Sequence, residues 1–274
     1  MKDNYKRRPG VARHMDPYHK RPESDEDEIQ SGVIEGRNAV IEALRAGRAI
    51  DKIYIAKGET DAALGHIKSK ARDAGAVVVD ADRNKLDAMS QTGAHQGIIA
   101  LAAVKEYSTI DDIFSIAEER GEEPFIIICD EISDHHNLGA IIRTADAAGA
   151  HGIIIPKRRS AGVTAIVAKT SAGAVEHMAV ARVPNITAAI NELKKRGVWI
   201  YGTAADGASP LWETDLKGSA AIVIGSEGDG MSRLVAESCD FKVSIPMKGK
   251  VSSLNASVSA AVIMYEVVRQ RDNP

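Results

Sequence analysis

Apolar and polar residues follow two alternating patterns along this chain. Residues 36–47 (GRNAVIEALRAG) carry apolar side chains at helical spacing, and the final glycine predicts the end of a helix. Short apolar runs such as 51–56 (DKIYIA) and 76–80 (AVVVD) predict strands. Helix and strand patterns follow one another up to a third strand, QGIIALAA. We therefore predict a small α/β domain over residues 29–105.

Apolar runs become longer and more continuous after residue 124. Strands are predicted at FIIICDE, GIIIP, WIYGTAA, AIVIGSE and KVSIP, with helices between them. Continuous apolar strands separated by helices are typical of a parallel sheet covered on both faces. We predict a second α/β domain over residues 124–274. A charged connector that contains a helix, residues 106–123, joins the two domains.

Residues 1–28 differ in composition from the rest of the chain. They open basic (KRR), close acidic (ESDEDE) and contain few apolar residues. Such a segment buries too little surface to offset the entropy of ordering, so we predict a disordered tail. Its basic half is a candidate RNA contact, and a solvated tail without function is the alternative.

Composition excludes several classes of protein. The 274 residues are 44% hydrophobic but only 4% aromatic, which predicts an aliphatic core, and the net charge of −3 gives no general affinity for nucleic acid. Two cysteines, Cys129 and Cys239, are too few for a disulfide framework or a zinc site. The adjacent His135 and His136 lack a third ligand at a matching spacing, so we expect no metal. Without a signal peptide or a membrane-spanning run, we expect a soluble, cytoplasmic protein.

A glycine-rich turn follows the strand AIVIGSE. Residues 225–232 (GSEGDGMS) have the spacing of a phosphate-binding loop, but Met231 replaces the lysine and Glu227 and Asp229 would repel phosphate. The glycine order also differs from the dinucleotide-binding fingerprint. Glycines at a strand's carboxyl end let a ligand approach the backbone, and an acidic loop suits cationic or hydroxyl groups. A tight turn with solvated acids is the alternative.

A second polar cluster lies at 133–149 (SDHHNLGAIIRTADAAG), directly after a predicted strand. Asn137 is a candidate helix N-cap. Helical side chains lean toward the N-terminus, so we expect Arg143 to pass over Gly139 and emerge near Asn137. The alternative is a surface arginine paired with Asp146.

A third cluster lies at 244–270, where a strand, a basic turn and a helix follow one another. Ser252 or Ser253 is a candidate helix cap, and Asn255 and Ser257 are further polar residues of the first turn. We expect the helix to bury one apolar stripe, formed by Leu254, Val258, Ala261, Val262 and Tyr265.

Together, and in this order, the three clusters resemble the three motifs of the SpoU (TrmH) family of RNA 2′-O-ribose methyltransferases, which belong to the SPOUT class. The matching stretches are Asn137–Arg143 (NLGAIIR), Ile224–Met231 (IGSEGDGM), and Ile245–Met247 (IPM) with Ser253–Ser257 (SLNAS). Ala256 stands where the family pattern has valine. The resemblance is nearest to members that methylate a guanosine of large-subunit rRNA.

The N-terminal domain also resembles the family's RNA substrate-binding domain, through GRNAVIEAL and HQGIIA. The resemblance covers residues 32–270. It implies a C-terminal SPOUT α/β domain with a trefoil knot, S-adenosylmethionine as cofactor, and a homodimer with the site at its interface. It further implies catalytic roles for Arg143, Asn137, Glu227, Ser253 and Asn255, and cofactor contacts from Gly225, Ile245, Leu254, Thr203, Gly202 and Met247.

Within that set the resemblance implies different tasks. Arg143 would hold the target phosphate or lower the pKa of the 2′-hydroxyl, since arginine stays protonated and is a poor base. Ser253 and Asn255 would hydrogen-bond the ribose, and Glu227 would support them. A direct attack of the 2′-oxygen on the methyl group needs no cysteine nucleophile.

RNA binding by an acidic protein requires local basic patches. Two basic loops are candidates: Lys157, Arg158 and Arg159 follow one strand, and Lys248 and Lys250 lie beside the third motif. In the N-terminal domain, Arg37, Asn38 and Gln96 are candidate RNA contacts.

Three other functions remain open at this point. The first is methylation of tRNA, or of rRNA at another position. The second is a non-catalytic RNA-binding factor of ribosome assembly, which the presence of Arg143, Glu227 and Asn255 opposes. The third is a nucleotide hydrolase, which the missing lysine opposes.

Overall fold

A computed structural model describes residues 32–59, 61–204 and 208–272, and these form two α/β units. The predicted disordered tail, residues 1–28, lies outside the described residues. The N-terminal unit contains β1 (Val33–Glu35), α1 (Arg37–Arg45), β2 (Ile50–Ala56), α2 (Ala62–Asp73), β3 (Val77–Ala81), α3 (Arg83–Met89) and β4 (Ile98–Ala102).

The N-terminal strands form one sheet in the order β1-β4-β2-β3. Strand β4 runs antiparallel to β1 and β2, whereas β2 and β3 are parallel. Helices α1 and α2 pack on one face through buried aliphatic residues such as Val40, Leu64 and Ile67. Strand β1 was not predicted because its three residues are only partly buried and carry no alternating pattern.

The C-terminal unit is larger and has a parallel sheet. Its elements are α4 (Ile110–Arg120), β5 (Phe125–Cys129), α5 (His135–Ala147), β6 (Gly152–Pro156), α6 (Ala165–Thr170), β7 (Val180–Val183), α7 (Ile186–Lys195), β8 (Trp199–Thr203), β9 (Ser209–Pro210), β10 (Ala220–Ile224), α8 (Arg233–Ser238), β11 (Phe241–Ser244) and α9 (Ala256–Asp272).

Seven strands form this sheet in the order β7-β6-β5-β10-β8-β11-β9, and every paired strand is parallel. The predicted α/β class and parallel sheet are confirmed. Two strands were not predicted: β7, where Arg182 interrupts the apolar run, and β9, which has only two residues. The trefoil knot stays a prediction.

Both faces of the parallel sheet are covered. In β5, Ile127 packs into the core cluster on one face, while Ile126 and Ile128 pack into the cluster on the other. Each fully buried aliphatic side chain contributes about 1.5–3 kcal/mol relative to an exposed one. The continuous apolar runs of the sequence therefore reflect strands that bury both sets of side chains.

The predicted connector, residues 106–123, is tightly joined to the C-terminal unit. Thr109 and Asp112 form a capping box at the start of α4, and Gly121 ends the helix with a φ of 65°. Ile113 is fully buried and occupies the space that a side chain at Gly152 would need. Helix α4 therefore belongs to the core of the C-terminal unit.

Helix α9 buries a different face from the predicted one. Its buried apolar residues are Ala256, Ala260, Ile263, Met264 and Val267. Within the predicted stripe, Val258 is 47% exposed and Tyr265 is 51% exposed. The helix is apolar on both sides, so residue spacing alone could not distinguish the face that packs on the sheet.

Candidate active site

A cavity of about 460 Å³ lies at the carboxyl ends of β8, β10 and β11. Open α/β sheets bind ligands at this edge. The lining includes five of the six predicted cofactor contacts, which are Thr203, Gly225, Ile245, Met247 and Leu254. The sixth, Gly202, does not line the cavity: its α-carbon packs against the side chains of Cys239 and Met231, which leave no room for a β-carbon.

The glycine-rich loop closes on itself directly after β10. Ser226 and Gly230 exchange two backbone hydrogen bonds of 2.9 and 3.0 Å, and Gly230 adopts a φ of 68°. A β-carbon on Gly225 would overlap the backbone of Gly230 and Met231. The loop is thus a tight turn in which Gly225 permits backbone to contact backbone at the wall of the cavity.

Asp130 holds the far end of this loop and was not identified from the sequence. Its carboxylate is buried and accepts a 2.7 Å hydrogen bond from the backbone N–H of Ser232, while its own N–H donates to the carbonyl of Ile224. Asp130 follows the apolar run of β5 directly. An acid placed at the end of a buried strand was the available signal.

Asn137, Glu227 and Asn255 form a hydrogen-bonded network beside the cavity. The Nδ2 of Asn137 donates to Glu227 Oε1 at 3.0 Å, and the Nδ2 of Asn255 donates to Asn137 Oδ1 at 2.9 Å. Asn255 Nδ2 also donates to Glu227 Oε1. One residue from each sequence motif enters this network, so the fold brings together side chains as far apart as 118 positions.

Asn255 also starts helix α9. Its Oδ1 accepts hydrogen bonds from the backbone N–H of Ser257 at 2.9 Å and of Val258 at 3.3 Å. The predicted capping by Ser252 or Ser253 is therefore wrong, and both serines line the cavity instead. Because the helix takes the amide oxygen, the amide nitrogen must face Asn137 and Glu227.

Helix α5 begins earlier than predicted. Asp134, rather than Asn137, is its N-cap and accepts from the N–H of His136 at 2.8 Å. Asn137 lies buried in the first turn.

The space over Gly139, which we expected Arg143 to cross, is already occupied. Gly139 packs against Thr170 of α6, with no space for a β-carbon. Arg143 is exposed and does not line the cavity. Within the described ranges its side chain forms neither a hydrogen bond nor an ion pair, so the alternative pairing with Asp146 is absent as well.

The predicted RNA contacts differ in their exposure and in their ion pairs within the protein. Arg158, Lys248 and Lys250 are exposed and have no ion-pair partner among the described residues. Arg159 pairs with Glu131 at 3.1 Å. Lys157 is partly buried, and Asn38 and Gln96 are exposed.

Among the predicted RNA contacts, Arg37 forms the most interactions with other residues of the protein. Its guanidinium forms ion pairs with Glu59, at 2.8 Å, and with Asp61. Its Nε donates to the Gln96 carbonyl at 3.2 Å. Two carboxylates neutralise the Arg37 charge, so its main role within the protein is to hold the N-terminal unit together. Its guanidinium has little charge left to attract a phosphate.

Neither cysteine has the properties of a nucleophile. Burial, with a further contribution from Asp130, raises the pKa of Cys129 to about 12, and burial raises the pKa of Cys239 to about 11. Both thiols stay protonated at neutral pH. No group of three metal-ligating side chains occurs in the described part of the chain. None of its helices has the length and apolar character needed to span a membrane.

Family models match both units of this chain. Residues 124–265 match the model described as the SpoU rRNA Methylase family, and residues 33–108 match the one described as RNA 2′-O ribose methyltransferase substrate binding. The chain belongs to the SpoU family. Membership confirms the predicted family and the enzyme class, an S-adenosylmethionine-dependent RNA methyltransferase.

Known SpoU-family proteins resemble this chain over most of its length. A Bacillus subtilis protein named putative TrmH family tRNA/rRNA methyltransferase YacO is 48% identical over 89% of this chain and 97% of its own. A Staphylococcus aureus protein named putative TrmH family tRNA/rRNA methyltransferase is 46% identical over 89% of this chain and 98% of its own. A solved structure also resembles this chain: the crystal structure of the SpoU methyltransferase AviRb from Streptomyces viridochromogenes in complex with AdoMet. Its TM-score is 0.56 at 24% sequence identity, and the match covers 89% of this chain and 93% of that chain. This similarity supports the fold.

Proposed function

We propose that this SpoU-family enzyme transfers a methyl group from S-adenosylmethionine to a ribose 2′-hydroxyl of RNA, with a guanosine of large-subunit rRNA as the preferred target. The observation that carries the proposal is the Asn137–Glu227–Asn255 network at the edge of the glycine-loop cavity. The match of the N-terminal unit to a 2′-O-ribose substrate-binding model supports the ribose as acceptor.

The residues that line the cavity suit S-adenosylmethionine. The missing side chain at Gly225 lets the loop backbone pack closely at the wall of the cavity, and the acids Glu227 and Asp229 in the lining suit a cationic ligand with ribose hydroxyls. Thr203, Ile245 and Leu254 would hold the cofactor from the neighbouring loops. When bound, the cofactor supplies a methyl group made electrophilic by its sulfonium charge.

The protein's own residues orient the attacking hydroxyl. Glu227 Oε1 accepts both amide hydrogen bonds, and Oε2 has no partner among the described residues. Oε2 can therefore accept a hydrogen bond from the 2′-hydroxyl and align it, and Ser253, which lines the same cavity, offers a second hydrogen-bonding group. Positioning of this kind lowers a barrier by several kcal/mol. Arg143, a permanent cation, holds the adjoining phosphate and favours loss of the hydroxyl proton.

The protein forms a homodimer whose interface lies beside this site. Leu254 lines the cavity and is exposed, as are the apolar residues Val258 and Tyr265 of α9. Exposed apolar patches of this kind mark association surfaces. A second copy packed on this surface would cover Val258 and Tyr265 and bring its own residues to the mouth of the cavity. This arrangement gives Arg143 a place in the site of a partner protomer, since it does not line the cavity of its own chain.

Replacing Val258 with glutamate is expected to convert the dimer into monomers, because the interface would bury an unpaired charge. Analytical ultracentrifugation at micromolar concentration would measure the change. Trp199→Glu is the matched control, since Trp199 is equally exposed but lies on the N-terminal end of β8. A dimer that persists in Val258→Glu, or a wild-type monomer, would contradict this interface.

A tRNA ribose is the alternative substrate, and the names of the relatives include both RNAs. The separate N-terminal unit favours rRNA. An rRNA substrate also places the enzyme in the cytoplasm. The other alternative, a non-catalytic assembly factor, differs in requiring no bound cofactor.

The decisive experiment is transfer of labelled methyl from S-adenosylmethionine to unmodified large-subunit rRNA and, separately, to bulk tRNA. We expect label in rRNA at a single alkali-resistant linkage, because a 2′-O-methyl group blocks alkaline cleavage. Arg143→Ala should retain cofactor binding and lose label. Label in tRNA alone would overturn the preferred substrate, and absence of cofactor binding would overturn the enzymatic function.

A further inference from the structure

The contacts between the two units converge on Asp51, a residue with no role in the proposed chemistry. Asp51 lies at a register shift in β2, where the pairing with β4 jumps between Ile50 and Lys52. Such irregularities turn a side chain away from its regular direction. The carboxylate leaves the N-terminal unit and is fully covered by the C-terminal unit, where it fills the space of a side chain at Gly162.

Two partners hold this carboxylate. Arg182 of β7 forms an ion pair with Asp51 Oδ1 at 2.9 Å, and both side chains are almost completely buried. Tyr107, from the segment between the units, donates its hydroxyl to the same oxygen at 3.0 Å and accepts from the N–H of Val163 at 3.0 Å. Burial and, next, the Asp51 charge raise the pKa of Tyr107, so its hydroxyl keeps the proton that it donates. We name Asp51, Tyr107 and Arg182 the interdomain clamp.

The clamp is connected to the basic loop, residues 157–160. Arg182 Nη2 donates to the Lys157 carbonyl at 3.3 Å as well as to the Asp51 carbonyl at 3.1 Å. Lys52, the neighbour of Asp51, donates to the Ser160 carbonyl at 3.2 Å. Residues from the clamp and from β2 thus hold both ends of the loop that carries Arg158.

The other side of the basic loop contacts the segment that leads to Asn137. Ser160 Oγ donates to the Ile132 carbonyl at 3.0 Å, and Arg159 pairs with Glu131. Glu131 and Arg159 both have positive φ values, of 60° and 57°, which non-glycine residues rarely adopt. Conformations of this kind persist only where the surroundings enforce them, and the hydrogen bonds from Arg182 to Lys157 and from Lys52 to Ser160 hold the backbone on both sides of Arg159.

We propose that Asp51, Tyr107 and Arg182 are positioning residues for the RNA substrate. The clamp holds the substrate-binding unit and the basic loop in one fixed arrangement, so that both contact a single RNA at once. The inference rests on the proposed function, because it assumes that RNA is the ligand of the loop. Two sites held at a fixed separation bind one chain more tightly than two independent sites, since the second contact becomes intramolecular.

The test is a double-mutant cycle between the clamp and the loop. Asp51→Asn removes the charge at nearly constant size, and Arg158→Ala removes an exposed loop cation. We expect Asp51→Asn to raise the KM for large-subunit rRNA about 10-fold, with kcat at saturating RNA and the Kd for S-adenosylmethionine within about 2-fold of wild type. In the Asp51→Asn background, Arg158→Ala should have little further effect, because a displaced loop no longer places Arg158 on the RNA.

Controls separate positioning from loss of the fold. Arg45→Met removes a cation from an exposed ion pair with Glu42 of the same helix and should leave KM unchanged. Binding of S-adenosylmethionine reports an intact C-terminal unit. If Asp51→Asn does not bind it, Tyr107→Phe replaces that variant in the cycle, because it keeps the ion pair and removes only the hydroxyl.

The outcomes distinguish this proposal from the proposed function. Filter binding of the same rRNA is measured in parallel, so the cycle can be read even if no methyl group is transferred. Absence of methyl transfer by wild type would overturn the proposed function alone. Two results would overturn the positioning role. One is that the fold-changes from Asp51→Asn and Arg158→Ala multiply in the double variant. The other is that a clamp variant keeps the wild-type KM and RNA affinity.

Discussion

Replacing Gly225 with alanine is expected to weaken S-adenosylmethionine binding about 100-fold, which corresponds to roughly 2.7 kcal/mol. The added methyl group would overlap the backbone of Gly230 and Met231, and backbone cannot rotate away as a flexible side chain does. Overpacking of a close contact costs about 1–3 kcal/mol. The ends of the loop would separate and the wall of the cavity would move. Isothermal titration calorimetry with the cofactor measures the loss.

The same loop supplies the control for this substitution. A β-carbon added to Gly228 would meet no heavy atom within 4 Å, and the φ of this residue is not positive. Gly228→Ala should therefore bind the cofactor within about 3-fold of wild type. Wild-type affinity in Gly225→Ala would show that the loop does not form the wall of the cofactor site.

Replacing Glu227 with alanine is expected to lower kcat by about 10²–10⁴-fold, the range typical of a lost acid–base or orienting group. The carboxylate accepts hydrogen bonds from both Asn137 and Asn255, so its removal leaves the Asn137 amide without its acceptor, leaves the Asn255 amide with Asn137 Oδ1 alone, and frees the ribose hydroxyl. The Kd for S-adenosylmethionine should change less than in Gly225→Ala, because Asp229 keeps a negative charge in the lining and the loop backbone is unchanged. Single-turnover methyl transfer with saturating RNA measures the effect.

Glu227→Gln separates hydrogen bonding from charge. Glutamine keeps an oxygen acceptor, so a smaller loss than in Glu227→Ala would mean that orientation dominates. An equal loss would mean that the negative charge is required. Glu237→Ala is the matched control, since Glu237 is an exposed acid on α8 that pairs with Arg233. A Glu227→Ala enzyme with wild-type kcat would remove Glu227 from the catalytic set.

The sequence predicted most of what depends on neighbouring residues. The glycine-rich turn after β10 could be identified because a tight turn needs glycine locally, and the parallel sheet because both faces of its strands are apolar. Fold class and family followed from these features and from the three motifs. Of the predicted cofactor contacts, Thr203, Gly225 and Ile245 lie at strand ends, which parallel topology brings to one edge.

Errors arose where more than one residue satisfied a local rule. Four polar residues stand near the start of α9, and Asn255, rather than a serine, caps it because its amide also reaches Asn137 and Glu227. Likewise, α9 has apolar residues on both sides, and only the packed sheet selects the face containing Ile263. Choices of this kind depend on partners that are distant in the sequence.

The amino-acid sequence by itself determined two α/β units, a parallel sheet, a glycine turn at a strand end and membership of the SpoU family. Tertiary structure alone decided that Asp130 holds that turn and that Asp51 of one unit pairs with Arg182 of the other. Periodicity and turn chemistry are short-range properties that a few adjacent residues express. A buried acid, by contrast, acquires its partner only when folding brings in a residue 131 positions away.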